Sequence, residues 1–384
     1  MNDSFLFFNN FMNQVKKMVE KNERILWLDI ARAIAIILVV CGHCDNFTTW
    51  SIQSFSGLFF MPLFIFISGY LFKDRVIDSF SDLTAFLKRR VVPIYKYYLT
   101  YELVFYFLKN FFFQIGFYSS AVLYGDKIIH PVSSLGTVVT DVIKIVLCMG
   151  REPFCGAFWF FIALIFVTIA YAFIRFIGRK LNNIIDENIT VNAGVMACFI
   201  LGCIMRYTVN IPRFSPSLTL ILFYHLGNLY FVNRERVNFD NGLICLISFI
   251  LLLILNHYGY VSMNQNMFTD PIFLIVSSFL GIYMVFYISK VLDGRLDKAR
   301  DVLVYIGQNT LPIIAFHLFC FKFVMLAQLF TGYISFDQLA ILNGANNNNL
   351  WYIAYVLCGV FGPLAIDWLI SNSKDIIRDL MGTS

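Results

Sequence analysis

The sequence predicts an all-α fold: a polytopic membrane helix bundle of about ten transmembrane helices, N-in and C-in. Three observations carry this. Of 384 residues, 59% are hydrophobic and only 14% charged, against roughly 25% charged in an ordinary soluble domain. A packed core cannot absorb that excess, because a soluble domain of this size still needs a polar surface; a lipid-facing surface can. Ten apolar runs approach the roughly 20 residues that a helix needs to cross hydrocarbon. The basic residues then fall on alternate sides of those runs.

In chain order the runs are 27–44, 55–72, 91–113, 157–177, 190–206, 216–232, 241–258, 270–291, 302–327 and 350–370. They divide the chain into a cytoplasmic segment 1–26, a membrane domain 27–370 with a long outer loop at 114–156, and a cytoplasmic tail 371–384. An Asn-rich loop, Asn343 to Asn349, precedes the last run. No internal repeat is visible, and no segment is large enough to fold as a separate soluble domain. With the N-terminus in the cytoplasm, five basic residues lie in outside segments: Lys127, Lys144, Arg151, Arg206 and Arg213. Four lie within runs (Arg32, Lys96, Lys109 and Lys322), and the remaining twenty of the 29 are cytoplasmic. Losing one run would scramble that pattern. The net charge of +5 is therefore a topological signal and no sign of a nucleic-acid partner.

Met1–Leu28 does not read as a cleaved signal peptide, because Lys16, Lys17, Lys21 and Arg24 precede the first run and no small-residue cleavage site follows it. Phe5–Val19 fits either a segment lying along the membrane surface or a disordered tail. Heavy use of Phe (43) and Tyr (20) suits lipid contact and interfacial belts. Most of the nine cysteines fall in apolar runs, where a free thiol behaves as a small hydrophobe. Cys41-Gly42-His43-Cys44 spells the C-x-x-C of thioredoxin-like oxidoreductases, but that chemistry needs a soluble βαβ setting and here the motif ends a membrane helix. Cys148 and Cys155 share the long loop and are close enough in sequence for a disulfide if that loop is extracytoplasmic.

Ionisable groups inside a membrane are costly, so each is a functional candidate. Arg32 and His43 stand 11 residues apart in the first run. At 100° per residue that is three turns plus about 20°, which puts both on one helix face and ~16 Å apart along the axis. Asp29 shares that face, one turn before Arg32. The bland alternative is that Arg32 snorkels to the inner surface and His43 caps the outer end.

Several stretches resemble a known family. Arg24-Ile-Leu-Trp27-Leu28-Asp29-Ile-Ala-Arg32, followed by Val39-Val40-Cys-Gly42-His43, is similar to the opening of membrane-bound acyltransferase family 3, whose hallmark is a basic residue, ten residues, then a histidine. Phe60-Met61-Pro62 through Ser68-Gly69-Tyr70-Leu71-Phe72 resembles its second span with a Ser-Gly pair. Arg89-Arg90-Val-Val-Pro93 resembles the basic run and proline that open its third. Phe158-Trp159-Phe160 resembles its tryptophan motif after the long loop, and Gly307-Gln-Asn309-Thr310-Leu311 followed by His317 a late-span signature. The resemblance covers about residues 24–370, in order, and is greatest to the branch of fucose O-acetylases and exopolysaccharide O-acyltransferases. One departure is that only Lys88 precedes Arg89-Arg90, where the family often has further arginines.

The resemblance implies transfer of an acyl group, acetyl in the first instance, from acyl-coenzyme A to a hydroxyl of a cell-surface or lipid-linked polysaccharide sugar. No cofactor beyond that donor substrate and no metal are expected. The partners implied are acyl-coenzyme A, the glycan acceptor and the lipid bilayer, in the plasma (inner) membrane of a bacterium. The residues make physical sense of this. Imidazole has a pKa suited to taking a hydroxyl proton near neutral pH, so His43 is the expected catalytic residue, either as general base or as the group that itself accepts the acyl. Coenzyme A carries phosphates, which favour Arg and Lys as partners. Arg89 and Arg90 on the cytoplasmic face, Arg32 deeper, and Ser68 of the Ser-Gly pair are the expected donor-binding residues; for Arg89 and Arg90 the plain alternative is a topological marker.

Other polar groups are supporting candidates. Glu102, one turn after Tyr98, must face the bundle interior and is expected to pair with Lys96 or His225. His317 and Asn309 are expected to line the acceptor or acyl cavity. His225 and Asn228 read as helix–helix hydrogen-bonding residues. Asp45 is placed to orient His43, although neighbouring helical positions point apart. Arg151-Glu152 reads as a solvated pair near the acceptor, and Asp367 as solvated. His130 and His257 carry no argument. Two rival functions fit a ten-helix bundle: a transporter or flippase for a lipid-linked sugar, which would usually show an internal repeat with broken helices, and a membrane sensor, which would usually carry a soluble output domain.

Overall fold

The structure is a computed structural model that describes residues 25–44, 51–72, 77–125, 127–150, 152–295, 297–344 and 349–373. Arg24, Asp45, Arg151 and the segment Phe5–Val19 lie outside the described residues. The chain is helical almost throughout, in fourteen α-helices among the described residues. They are α1 (Leu26–His43), α2 (Ile52–Gly57), α3 (Phe60–Tyr70), α4 (Phe80–Phe107), α5 (Lys109–Gln114), α6 (Leu135–Val146), α7 (Trp159–Leu181), α8 (Glu187–Met205), α9 (Phe214–Val232), α10 (Gly242–Tyr258), α11 (Pro271–Asp293), α12 (Asp297–Gln308), α13 (Thr310–Phe330) and α14 (Asn349–Ser371). Two short antiparallel ribbons, Leu123–Tyr124 with Lys127–Ile128 and Val261–Ser262 with Met267–Phe268, decorate the loops.

Seven helical stretches are long and apolar enough to cross a membrane, and Gly242–Tyr258 is apolar but shorter. Their outer surface is what lipid requires. Leu243, Leu246, Ile250 and Ile254 on α10 are all exposed, a continuous apolar face larger than water-soluble proteins usually tolerate. The chain is thus an integral, multi-pass membrane protein.

α1 is the central post. Ala31, Ala33, Ala35, Ile36 and Val40 are fully buried, and α2, α3, α11, α12, α13 and α14 all pack against it. Small residues set the closest approaches. A Cβ on Gly307 of α12 would strike the backbone carbonyl of Asp29, and Cβ atoms on Gly69 and Gly227 would strike carbonyls across the α3–α9 contact. Without a hydrophobic drive between helices in lipid, such backbone-to-backbone contact is how membrane helices gain dispersion energy.

Three expected spans are each broken into two helices, and one of them, the 91–113 run, is divided between α4 and α5 at Leu108. The 55–72 run forms α2 and α3, interrupted at Leu58-Phe59. Broken helix is tolerated at membrane depth only where its backbone groups find partners inside the protein. Here the Ser278 hydroxyl on α11 donates to the Leu58 carbonyl at 3.4 Å, and the Ser277 hydroxyl stands at the same distance while bonded more closely, at 2.7 Å, to the Phe273 carbonyl of its own helix. The 302–327 run forms α12 and α13, interrupted at Asn309, whose side-chain amide donates to the Tyr305 carbonyl at 2.8 Å. The third run also differs. α4 begins at Phe80 rather than 91, started by a capping box in which the Ser79 hydroxyl accepts from Asp82 N–H and the Asp82 carboxylate accepts from Ser79 N–H.

The 114–156 loop is tied down by polar side chains. Glu102 is buried, as its position requires, but its partner is neither Lys96 nor His225. Its Oε1 accepts from the Glu152 backbone N–H at 3.0 Å, because the loop folds back onto the end of α4. His225 is occupied elsewhere, bonded to Tyr171 at 3.1 Å and Asn192 at 2.8 Å, while Tyr171 also donates to Asn228; these bonds join α7, α8 and α9. Glu152 is not solvated either: it is 4% exposed and ion-paired with Lys109 at 3.2 Å. Arg213, held at φ 72°, donates through its guanidinium to the carbonyls of Cys148 and Gly150. Cys148 and Cys155 are both free thiols in this structure, so the disulfide their shared loop would permit is not present. The Cys155 thiol lies instead against the Tyr101 carbonyl, at 3.9 Å.

Candidate active site

His43 is the last residue of α1 and opens into a cavity of about 140 Å³. Its Nδ1 lies 2.8 Å from the Val39 carbonyl one turn back. A carbonyl oxygen only accepts, so the hydrogen sits on Nδ1, and in the neutral ring Nε2 carries the lone pair. That is the atom able to take a proton or attack a carbonyl carbon. Gln53, Trp159 and Asn264 supply polar groups to the same cavity, while Leu38, Phe60, Met61 and Phe64 make it apolar on another side. The floor comes partly from the start of α3, which reaches this depth because the second span is broken.

His317 on α13 stands beside His43, with ring centroids 5.0 Å apart and planes at 64°. It repeats the arrangement of its neighbour: Nδ1 bonds the Ile313 carbonyl at 2.8 Å, so its hydrogen is also on Nδ1. His317 is fully buried, and its Nε2 has no hydrogen-bond partner among the described residues. A buried nitrogen left without a partner is uncommon and calls for an explanation.

At the other end of α1, Arg32 lines a second cavity of about 230 Å³ with Arg90, Ser68, Thr168, Tyr224 and Gln308. Asp29 is buried and fixes this end of the helix. Its carboxylate pairs with Arg32 at 3.4 Å and accepts from Gln308 at 3.1 Å. Arg90 reaches back from α4 to the carbonyl of Leu71 at 2.8 Å, which brings its guanidinium to the cavity mouth. The Ser68 hydroxyl bonds the Phe64 carbonyl at 2.9 Å. Three residues, Phe64, Phe160 and Ile314, line both cavities.

The geometry thus gathers His43 with His317, and Arg32 with Asp29, Arg90 and Ser68. Three other expected residues stand apart. Arg89 is exposed and lines neither cavity. Asn309 closes α12 and lines neither, whereas its neighbours Gln308 and Thr310 line the Arg32 cavity. Glu102 pins the loop. Gln53, Asn264, Thr168 and Tyr224 went unremarked in the sequence; a hydroxyl or amide in an apolar stretch is the only signal they carry. No group of three or more His, Cys, Asp or Glu able to hold a metal occurs among the described residues.

A polytopic bundle whose imidazole faces one cavity and whose guanidinium groups face the cavity behind it has the make-up of an integral membrane transferase. Comparison with known families makes this specific. A family model described as an acyltransferase domain matches residues 25–368, nearly the whole chain. The chain belongs to acyltransferase family 3, and it is an enzyme of the O-acyltransferase type. No curated protein and no solved structure matches it.

Proposed function

We propose that the protein moves an acyl group, acetyl in the simplest case, from acyl-coenzyme A to a hydroxyl of a cell-surface or lipid-linked polysaccharide sugar. The donor enters the Arg32 cavity from the cytoplasm, and the acceptor reaches His43 from outside. The observation that carries this reading is the back-to-back placement of the two cavities along α1. The guanidinium groups of Arg32 and Arg90 suit the phosphates of coenzyme A. The thioester at the end of a thin pantetheine arm would then meet His43, ~16 Å along the helix from Arg32.

In the chemistry proposed, His43 Nε2 takes the proton of the sugar hydroxyl as its oxygen attacks the thioester carbonyl carbon. The C–O bond forms, the C–S bond breaks, and the proton passes from the imidazolium to the departing thiolate, releasing free coenzyme A. In the two-step variant, Nε2 attacks the carbonyl first and the sugar then takes the acyl from the ring. Both routes need the same atom, and the Nδ1–H bond to Val39 aims it. A cytoplasmic donor would in this way modify an external glycan without a separate acyl carrier. The setting proposed is the inner membrane of a bacterium, with ten crossings and both termini inside.

The test is mass spectrometry of surface glycans from cells with and without the gene, together with thiol release in sealed vesicles. Loss of one acyl mass, and release of thiol from acetyl-coenzyme A by inside-out but not by right-side-out vesicles, are the expected results. Unchanged glycans together with no thiol release would defeat the reading.

A further inference from the structure

The wall between the two cavities is one side chain thick. Phe64 comes from α3, Phe160 from α7 and Ile314 from α13, and all three line both spaces. The two phenyl rings touch, with centroids 5.4 Å apart. Each of the three is about 6% exposed or less, so they close on one another. On the Arg32 side, Leu164 and Thr168 follow Phe160 at one-turn intervals and Ser68 follows Phe64, and all three line that cavity. On the other side, His317 follows Ile314 by one turn and stands against His43. Nothing polar belongs to the wall itself.

The geometry points to Phe64, Phe160 and Ile314 as the residues that select the acyl group, by its cross-section. This rests on the reading that the donor approaches from the Arg32 side. A thioester held there reaches His43 only by parting these side chains. α3, which carries Phe64, is held against α9 by backbone-to-backbone contact at Gly69 and Gly227, so the opening comes from rotation of the two rings and is narrow. A packed interior of this kind yields by side-chain rotation before its backbone moves. The terminal part of the pantetheine arm is an unbranched chain of methylenes and amides, and an acetyl group is no wider. A branched or aromatic acyl group is wider than the arm that carries it and would be stopped. Chain length alone is not read by such a wall; width is.

The test uses the full-length protein in inside-out vesicles of the cells that express it, with acetyl-, isobutyryl- and benzoyl-coenzyme A as donors, following thiol release. The wild type is expected to favour acetyl over benzoyl by at least about 100-fold in kcat/KM. Phe64→Ala and Phe160→Ala each remove one ring and leave a hole of its shape, so the benzoyl-to-acetyl ratio should rise at least about 10-fold. Ile314→Trp thickens the wall and, in protein that still elutes as a single species, should lower the isobutyryl-to-acetyl ratio further. Ratios unchanged in all three variants would overturn the inference, as would a wild type that uses benzoyl as well as acetyl. A wild type that releases thiol from no donor would remove the coenzyme A reading, and this inference with it.

Discussion

His43 and His317 face each other edge to face at 5.0 Å, and each spends its Nδ1–H on the carbonyl one turn back in its own helix. The pair is therefore a matched one. Two ring nitrogens of the same kind are presented from two different helices, one toward a cavity and one buried beside it.

His43→Ala should lower acyl transfer by ~10²–10⁴, the usual cost of a lost general base, while insertion and expression stay near normal. His317→Ala should cost less, because His317 lines neither cavity and its link to the site is its ring contact with His43. The double variant should be no slower than His43→Ala alone, since residues that work as a unit are not additive. Rates in detergent-purified protein decide this. A His43→Ala protein that keeps more than about a third of wild-type activity makes His43 structural.

Arg32→Ala and Arg90→Ala should raise the apparent KM for the donor more than for the acceptor, because both guanidinium groups line the cavity away from His43. Arg89→Ala should leave the donor KM within about twofold. A donor KM that responds equally to all three would mean that only the summed positive charge matters.

The Lys109–Glu152 pair gives a pH-dependent prediction. Burial holds the Glu152 carboxyl above the usual carboxylate range, and Lys109 opposes that shift. The folded chain thus keeps a proton that the unfolded chain has released, so the contribution of Glu152 to stability falls as pH rises between the ordinary and the raised value. Lys109→Met would leave the carboxylate buried without its cation, a loss of about 3–5 kcal/mol, and would extend that interval upward. Thermal unfolding should show a larger deficit near pH 8 than near pH 5, and Lys109→Met with Glu152→Gln should recover most of it. A deficit independent of pH would assign the loss to packing.

Gly307→Val should destabilise the bundle by at least about 1–3 kcal/mol, the range for overpacking, because the Asp29 backbone leaves no space for a side chain. The protein should melt earlier and lose donor binding together. A Gly307→Val protein with wild-type thermal stability would show that α12 is not seated on α1 in this way.

Reporters at His130 and Asn346 should read outside and at Lys298 inside, if ten crossings follow the basic residues. A cytoplasmic reading at Asn346 would reject that topology.

The helical repeat made one line of the site legible: Asp29, Arg32 and His43 share a face because three turns of one helix put them there. What joins different helices was not legible in the same way. The contact of His317 with His43 depends on α13 packing beside α1, and no spacing within either helix encodes it. The breaks at Leu58 and Asn309 were hidden because both flanks are apolar and hydropathy reads through them. Leu58 is stabilised by a serine more than two hundred positions away in sequence. Glu102 is interior, as its place in an apolar run requires, but its partner is a backbone N–H, which every residue but proline offers and no side-chain pattern reveals.

That Arg32 and His43 ride on one unbroken helix, seated at its Asp29 end by Gly307 and Gln308, makes their separation a matter of phase. Inserting one residue between them would turn His43 by about 100° and take its ring out of the cavity. Inserting seven would restore the facing direction to within about 20° but push the ring ~10 Å further along the axis. Neither change touches the chemistry of a single side chain. Among relatives of this enzyme, the interval from arginine to histidine in the first helix should therefore resist insertions and deletions even where the residues filling it vary freely.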